Sequence, residues 1–315
     1  MIISNRTNKI KVQKIRAISL TVSSIERALD FYTSAFSCEL VSNLTLDASY
    51  YSKLEGIQST SIGIVTLRLG EEAIELREYP DKTGKPIPEN SQSNDLWFQH
   101  MAIVVSDIDR AYKHLQSFDL KPISSGLQTL PNGIRAFKFK DPDGHDLEII
   151  WFPPDQSKVK WQQNTKELFL GIDHSAITVA DTEQSLKFYR DLLGMEVESS
   201  NINSGEIQAH LDGLPEAKVR VTSLRPQQKG LGIELLDYIE PGTGRPFPNN
   251  WQSYDIATMQ IQLVVENIEA VVNSLRINGT EIISPQIVQL PNSYPYRQAC
   301  IVKDPNGHCI TLISL

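Results

Sequence analysis

The sequence has few of the features that mark secreted or membrane-spanning proteins. Only three of its 315 residues are cysteines, and Cys38, Cys300 and Cys309 have neither the even count of a disulfide framework nor metal-ligand spacing. They fit small buried hydrophobic residues in a reducing cytoplasm. The first residues contain no apolar core of a signal peptide, and no stretch approaches the ~20 apolar residues of a membrane span. The sequence therefore predicts a cytoplasmic protein with no membrane partner.

The charge balance also lacks the positive excess that nucleic-acid binding requires. The chain has 30 lysine and arginine residues against 38 aspartate and glutamate residues, a formal net charge of −8. A general nucleic-acid-binding protein needs basic patches that displace counterions from phosphates, so this class is disfavoured. The hydrophobic content of 40% is that of a globular protein, and 315 residues are enough for two domains.

Internal repetition is the strongest organisational feature of the chain. The segment Glu75-Leu-Arg-Glu-Tyr79 matches Glu234-Leu-Leu-Asp-Tyr238, and the turn after Lys140 matches the turn after Lys303. The separations of 159 to 163 residues indicate two homologous halves. The predicted organisation is a polar N-terminal arm (1–14), a first half (15–152), a linker (153–169) and a second half (170–315).

Each half divides again into two similar units. In four places a short strand-like apolar run precedes a helix whose apolar residues recur at i, i+3, i+4 and i+7. The third of these helices has Asp181 as its predicted N-cap and Gln184 three residues later, the pattern of a capping box. Strand-like runs separated by turn residues follow each helix. The predicted fold class is α+β, with four βαβββ units that form curled mixed sheets with helices outside.

These units resemble those of the vicinal oxygen chelate superfamily. Its members include glyoxalase I, extradiol dioxygenases, methylmalonyl-CoA epimerase, and the fosfomycin and bleomycin resistance proteins. The resemblance covers nearly the whole chain and implies a glyoxalase-like fold of two pseudo-repeats, but the superfamily hosts many reactions on one scaffold. The segments that carry it are Gly171-Ile-Asp-His-Ser-Ala-Ile-Thr-Val179, Ser185-Leu-Lys-Phe-Tyr-Arg-Asp-Leu-Leu-Gly194, Gln99-His-Met-Ala-Ile-Val-Val105 and Asp141-Pro-Asp-Gly-His-Asp-Leu-Glu148.

The resemblance also implies where metal ligands would lie, because family members place them on the first and last strands of each unit. Pairing units within a half leaves both candidate sets incomplete. Crossed pairing, of the second unit with the third, gives one complete set and one degenerate set. We therefore predict crossed pairing and a single metal site between the halves. The complete set is His100, Glu148, His174 and Glu234; the degenerate set is Ala17, Glu75, Gln260 and Thr311.

Two imidazoles and two carboxylates suit a divalent zinc, nickel, cobalt, manganese or iron ion. The resemblance then implies an enzyme of the glyoxalase I type, a lyase or isomerase acting on a small oxygenated carbon compound. One carboxylate would move a proton, and both Glu148 and Glu234 are candidates. Glutathione use stays open, as does the choice between a monomer and a homodimer.

Two other functions compete with this reading. If Glu234 pointed away, His100, Glu148 and His174 would form the Fe(II) site of an extradiol-type dioxygenase. Absence of metal would instead favour a non-catalytic small-molecule-binding protein of the bleomycin resistance type. His145 and His308 follow the same turn in the two halves, and we expect them to be turn features rather than ligands.

Overall fold

The computed structural model of the protein describes residues 11–47, 49–59, 61–155, 159–162, 166–228 and 230–315. The first half contains β1 (Val12–Thr21), α1 (Ile25–Phe36), β2 (Glu39–Asp47), α2 (Ser49–Glu55), β3 (Ser61–Leu69), β4 (Glu72–Glu78), β5 (Gln99–Val105), α3 (Ile108–Leu115), β6 (Lys121–Pro122), β7 (Gln128–Thr129), β8 (Arg135–Lys140) and β9 (Asp146–Trp151). A 3₁₀ turn, Val159–Trp161, follows. The second half contains β10 (Phe169–Thr178), α4 (Thr182–Leu186) with a π-helical continuation (Lys187–Leu192), β11 (Glu196–Ser204), α5 (Glu206–Asp212), β12 (Lys218–Arg225), β13 (Gly232–Glu240), β14 (Met259–Val265), α6 (Ile268–Ile277), β15 (Val288–Gln289), β16 (Gln298–Lys303) and β17 (Cys309–Ser314).

This element order confirms the predicted α+β class and its four βαβββ units, with two differences. The first and third units contain an additional seven-residue helix, α2 and α5. Such short helices show too few turns for their periodicity to be recognised in a sequence. The second strands of the other two units are only two residues long. In β6 the second residue is Pro122, which has no N–H to donate to a neighbouring strand.

Strand β1 begins at Val12 and β10 at Phe169, inside the ranges predicted for the arm and the linker. Residues 1–10 of the arm, and 156–158 and 163–165 of the linker, lie outside the described residues. Val12 already belongs to β1, because its side chain is buried and its N–H donates to Leu193 O at 2.9 Å. At the other end of the linker, Phe169 is buried and begins β10.

The strands form two mixed sheets, and each sheet combines one unit from each half. Sheet I has the order β15-β16-β17-β14-β1-β4-β3-β2, from the first and fourth units. Sheet II has the order β11-β12-β13-β10-β5-β9-β8-β6, from the second and third units, with β7 paired to β8. The joins are the antiparallel pairs β1·β14 and β10·β5. The predicted crossed pairing of the units is therefore confirmed.

The largest hydrophobic core lies between the helices and one face of each sheet. It contains side chains from all four units, including Phe36, Phe139, Tyr189 and Leu275. The opposite face of each sheet, called the inner face below, carries separate apolar clusters. On sheet I they form one cluster that includes α2, whereas on sheet II they form two smaller ones. The division on sheet II marks the place where a cavity opens. Within the described ranges, no helix combines the length and the apolar run needed to cross a membrane.

Two buried histidines connect the sheets from equivalent turns, as expected for turn features. His145 donates from Nε2 to Ile256 O at 2.8 Å, and His308 donates from Nε2 to Thr178 O at 2.9 Å. The two histidines differ at Nδ1. That atom of His145 lies 3.0 Å from Asp141 Oδ2, whereas that of His308 has no hydrogen-bond partner in the described part of the chain. Burial lowers the pKa of His145, but Asp141 outweighs it and the net pKa is raised.

We expect His145→Gln to lower the free energy of unfolding by about 1–3 kcal/mol near neutral pH, because it breaks a buried charge-assisted contact. Since the pKa of His145 is raised in the folded state, its contribution is fully present below its ordinary value of 6.5 and is lost as the pH rises through the folded pKa. Urea unfolding at about pH 6 and about pH 9 should therefore show a smaller penalty at the higher pH. The matched variant His308→Gln lacks the carboxylate contact and should not follow this trend; a penalty for His145→Gln that grows with pH would contradict the assignment.

Candidate metal centre

Two histidines meet on the inner face of sheet II because β5 and β10 are antiparallel neighbours at its centre. His100 pairs with Ala176, and His174 pairs with Ala102. Residues two positions apart on paired strands point to the same side of a sheet. Both imidazoles are buried there, with ring centroids 5.7 Å apart. Each half of the chain thus contributes one histidine.

The strands on either side supply the two carboxylates. Glu148 lies on β9, beside β5, and its Oε2 is 3.1 Å from His100 Nε2 and 3.8 Å from His174 Nε2. Glu234 lies on β13, beside β10, with Oε2 3.4 Å from His174 Nε2. The fold therefore brings together all four side chains that the sequence singled out. Three of them are closest: His100, Glu148 and His174 offer ligand atoms that lie within 4.8 Å of one another.

A buried aspartate that the sequence reasoning missed orients His174. Asp173 Oδ2 lies 3.2 Å from His174 Nδ1 and accepts a hydrogen bond from Arg225 Nη2 at 2.8 Å. The other carboxylate oxygen of Asp173 accepts a hydrogen bond from Trp161 Nε1 at 3.2 Å. Strict strand alternation would place Asp173 on the opposite face from its neighbour. The register of β10 against β5 shifts between Ile172 and His174, and such an irregularity re-aims side chains. No signal in the sequence predicts that shift.

The site is built to hold negative charge next to nitrogen lone pairs. Burial raises the pKa of Glu148, but His100, Lys138 and His174 outweigh it and lower the pKa to about 2, so this carboxyl group is ionised at neutral pH. Burial, followed by Lys138, lowers the pKa of His100, which favours the neutral imidazole. Burial opposes the charged form of His174, yet Glu234 and Asp173 raise its pKa.

These groups fit a divalent metal ion. With Nδ1–H of His174 directed at Asp173, the lone pair of Nε2 faces the carboxylates of Glu148 and Glu234, an arrangement that needs a cation or a proton between them. The imidazole and carboxylate donors are those that zinc and other first-row divalent ions use. His100 Nδ1 is buried without a hydrogen-bond partner among the described residues, so no contact prevents it from carrying the ring proton and leaving the lone pair of Nε2 for a metal.

The four side chains line a cavity of about 760 Å³. Its wall includes apolar side chains such as Ile150 and Leu236, and neutral polar ones such as Asn201 and Ser223. The wall also contains a group called the Asp212 cluster below, whose members are Lys138, Gln208, Asp212 and Tyr238, and which adjoins the four side chains because Lys138 pairs with Glu148 across β8 and β9. In it, Lys138 Nζ donates to Asp212 Oδ1 at 2.6 Å and Gln208 Nε2 donates to Asp212 Oδ2 at 2.7 Å.

Comparison with known proteins agrees with the fold. The model of the Glyoxalase/Bleomycin resistance protein/Dioxygenase superfamily matches residues 14–149 and 171–312, which is most of the chain. The protein belongs to this superfamily. The two matched segments correspond to the two halves of the chain, each with two of the units described above.

Two characterised relatives in the superfamily are enzymes. The chain is 30% identical over 149 residues to 2-epi-5-epi-valiolone epimerase of an Actinomyces species, covering 44% of this chain and 79% of that protein. It is 23% identical over 198 residues to lactoylglutathione lyase of Schizosaccharomyces pombe, covering 61% of this chain and 62% of that protein. Among solved structures, glyoxalase I of Zea mays superimposes with a TM-score of 0.66 at 18% identity, covering 96% of this chain and 92% of that one. At this identity the structural similarity establishes the fold alone.

Sheet I contains a counterpart of this site that is filled by side chains of the protein. Its positions equivalent to the four site residues hold Ala17, Glu75, Gln260 and Thr311. The side chain of Arg77, which is 1% exposed, fills the space between them. Its guanidinium donates to Glu75 Oε1 at 2.8 Å and to Gln260 Oε1 at 3.0 Å, so a fixed organic cation neutralises the buried carboxylate.

Other side chains complete this closure. Arg77 Nη1 donates to Glu55 Oε1 at 3.0 Å, and its guanidinium lies over the ring of Tyr51 at 5.3 Å. Arg16 Nη1 donates to the second oxygen of Glu75 at 3.0 Å. Burial raises the pKa of Glu75, but Arg77 and Arg16 outweigh it, and the net pKa is lowered. Sheet I thus uses the same framework for a structural ion-pair network.

We expect Arg77→Met to lower the free energy of unfolding by about 3–5 kcal/mol, because it leaves the buried carboxylates of Glu75 and Glu55 without their shared partner. The matched control is Arg68→Met, which removes an exposed ion pair with Glu39 and should change stability by less than about 1 kcal/mol. Chemical unfolding of both variants measures the difference. Equal stabilities for Arg77→Met and the wild type would show that the network is not what holds this face of sheet I together.

Proposed function

We propose that the protein is a metal-dependent enzyme of the glyoxalase I type, a lyase or isomerase, with one metal centre at His100, Glu148, His174 and Glu234. The observation that carries this proposal is the convergence of these four side chains, two from each half, in the wall of a cavity. The Lys138 ammonium and the metal would together offset the ionised carboxylates. The cytoplasmic location and the choice between monomer and homodimer stay predictions.

A bound zinc, nickel, cobalt, manganese or iron(II) ion would supply a Lewis acid that polarises the carbonyl or hydroxyl oxygens of a small oxygenated substrate. His100 and Glu148 are the buried, fixed part of its binding set. Asp173 holds the ring of His174 in the tautomer that leaves Nε2 free. Arg225 in turn holds Asp173 through Nη2 and through a bond from Nη1 to the Asp173 carbonyl oxygen at 2.7 Å.

Glu234 is the better candidate for the residue that moves a proton. Its side chain is 19% exposed, against 6% for Glu148, and it lies outside the tight group of three ligand atoms. Ser223 Oγ donates to its Oε1 at 2.6 Å, which leaves Oε2 facing the site. A carboxylate with this freedom takes a proton from the carbon beside a substrate carbonyl and returns it to the neighbouring carbon or to the other face of the same carbon.

The relatives support this class of reaction. Their names are those of a lyase and an epimerase, and the epimerase is the more similar in sequence. A second candidate, an Fe(II) extradiol-type dioxygenase, is favoured by the compact group of His100, Glu148 and His174, which supplies two imidazoles and one carboxylate. The position of Glu234, 3.4 Å from His174, favours the four-ligand lyase or isomerase instead. A non-catalytic binding protein is the third reading and predicts no turnover of any substrate.

Metal content tests the centre directly. We expect elemental analysis of the purified wild type, without added chelator, to give about one equivalent of a divalent metal, and His174→Ala to lose at least ~90% of it, since a missing ligand lowers affinity 10- to 100-fold or more. The control His308→Gln removes an equally buried histidine outside the site and should retain the metal. A wild type that cannot be loaded with any divalent ion would contradict the enzyme proposals. Retention of metal by His174→Ala would limit the site to the first half.

The division of roles between the two glutamates makes a separate prediction. We expect Glu234→Gln to keep most of the metal but to lower the rate of proton exchange by about 10²–10⁴-fold, whereas Glu148→Gln loses the metal itself. The measurement is deuterium uptake from D₂O, followed by NMR, into a panel of small α-hydroxycarbonyl compounds. Glu75→Gln, at the equivalent position of sheet I, is the control and should leave exchange unchanged. If Glu148→Gln retains the metal but loses proton exchange, while Glu234→Gln exchanges normally, the proton transfer belongs to Glu148.

A further inference from the structure

The Asp212 cluster has a counterpart in sheet I. Comparing the two shows which contacts the Asp212 cluster does not make. Helices α2 and α5 are anchored in the same way: Ser124 Oγ donates to Leu211 O at 2.7 Å and Ser284 Oγ donates to Leu54 O. The last residue of each helix is then acidic, Glu55 in α2 and Asp212 in α5. By the same register, Tyr79 of the first half corresponds to Tyr238 of the second. The molecule thus contains two versions of one acid–tyrosine pair.

In sheet I the pair is closed. The Tyr79 hydroxyl donates to Glu55, and Arg77 fills the remaining space. In sheet II the acid is one methylene shorter and Leu236 stands in the place of Arg77. Burial and the nearby Asp212 carboxylate raise the pKa of Tyr238. Its hydroxyl lies near Asp212 and Ser93, but among the described residues neither contact has the geometry of an ordinary hydrogen bond.

Gln208 Oε1 is a second buried polar atom with no partner among the described residues. Gln208 and Tyr238 are 4% and 2% exposed, and both line the cavity. A buried hydroxyl and a buried carbonyl oxygen without partners are expensive in a folded protein. Together they offer one hydrogen-bond donor and one acceptor, which is what a hydroxyl group of a ligand, itself donor and acceptor, satisfies.

The charges of the cavity wall disfavour an anionic occupant. The described residues that line it include five carboxylates and two cations, so a divalent ion leaves the wall with an excess of negative charge. Both cations are already held by carboxylates of the protein: Lys138 by Asp212 at 2.6 Å, and Arg225 by Asp173 and by Glu198, each at 2.8 Å. Because each cation is neutralised by a carboxylate of the protein, its attraction for a carboxylate ligand is weakened.

We infer, on the basis of the proposed metal-dependent function, that the substrate is an uncharged polyhydroxylated carbonyl compound and that the Asp212 cluster binds its hydroxyl groups. The carbonyl end lies toward His100 and Glu234, while a hydroxyl at the other end donates to Gln208 Oε1 and accepts from Tyr238. A glutathione conjugate, with two carboxylates against one ammonium, is disfavoured by the same wall. The Asp212 cluster is therefore the specificity determinant of the site.

The test is calorimetric titration of the full-length, cobalt(II)-loaded protein with three probes. They are scyllo-inosose, an uncharged cyclic polyhydroxy ketone; glucuronate, a polyhydroxylated ring of similar size with a carboxylate; and S-hexylglutathione. We expect scyllo-inosose to bind at least about tenfold more tightly than either anion. Tyr238→Phe should weaken that binding about three- to tenfold with little loss of stability, because the contacts of the deleted hydroxyl with Asp212 and Ser93 fall short of ordinary hydrogen-bond geometry in the free protein.

Two further variants make the test specific. Tyr79→Phe deletes a hydroxyl that is bonded to Glu55 and should do the reverse, lowering stability while leaving polyol binding unchanged. Asp212→Asn releases Lys138 from its carboxylate partner and should raise the affinity for glucuronate. Equal effects of Tyr238→Phe and Tyr79→Phe on polyol binding would remove the cluster from the site.

The outcomes separate this inference from the proposed function. Suppose that the protein takes up cobalt. If S-hexylglutathione then binds at least as tightly as scyllo-inosose, or if no polyol binds, the inferred substrate class is overturned while the proposed metal enzyme stands. Failure to take up cobalt overturns the metal enzyme, and titration of the metal-free protein with the same probes then tests the Asp212 cluster alone. In that protein, a polyol affinity that Tyr238→Phe does not change overturns the inference as well.

Discussion

The site depends on one contact, the antiparallel pairing of β5 with β10. This pairing joins the second unit of the chain to the third, so His100 and His174 become neighbours although they lie in different halves. The outer strands β9 and β13 then add a carboxylate on each side. Buried carboxylates beside imidazoles are stable only with a compensating cation. The strand pairing that brings these side chains together therefore also creates the need for a positive charge at the site.

The same framework meets this requirement in two ways within one molecule. In sheet I the compensating positive charge belongs to a side chain of the protein itself. Arg77 forms ion pairs with Glu75 and Glu55 and fills the inner face together with aromatic rings. In sheet II the equivalent position is Leu236, and the space opens into a cavity. The fixed guanidinium of sheet I stabilises the fold but leaves no space for a ligand. The open cavity of sheet II admits a ligand but leaves buried polar groups without hydrogen-bond partners among the described residues. The division of labour between the two sheets follows from that difference.

The cavity wall combines the metal-ligand candidates with the hydrogen-bonding groups of the Asp212 cluster. The two groups meet at Lys138, which lies on β8 directly opposite Glu148. Lys138 has two electrostatic roles: it neutralises Asp212 and it helps to lower the pKa of Glu148. A single buried ammonium thus links the Asp212 cluster to the proposed metal site, and its counterpart in sheet I is the apolar Ile301.

The sequence by itself determined the unit pattern, the duplication, the crossed pairing and the residues that meet at the site. These follow from local periodicity, turn motifs and the resemblance to a superfamily whose ligand positions fall on strands. Only the tertiary structure decided the partners of those residues. Asp173 reaches His174 through a register shift in β10, and Lys138 meets Asp212 across 74 residues of chain on a helix too short to predict. Such contacts depend on how separate segments pack, which no local pattern of residues encodes.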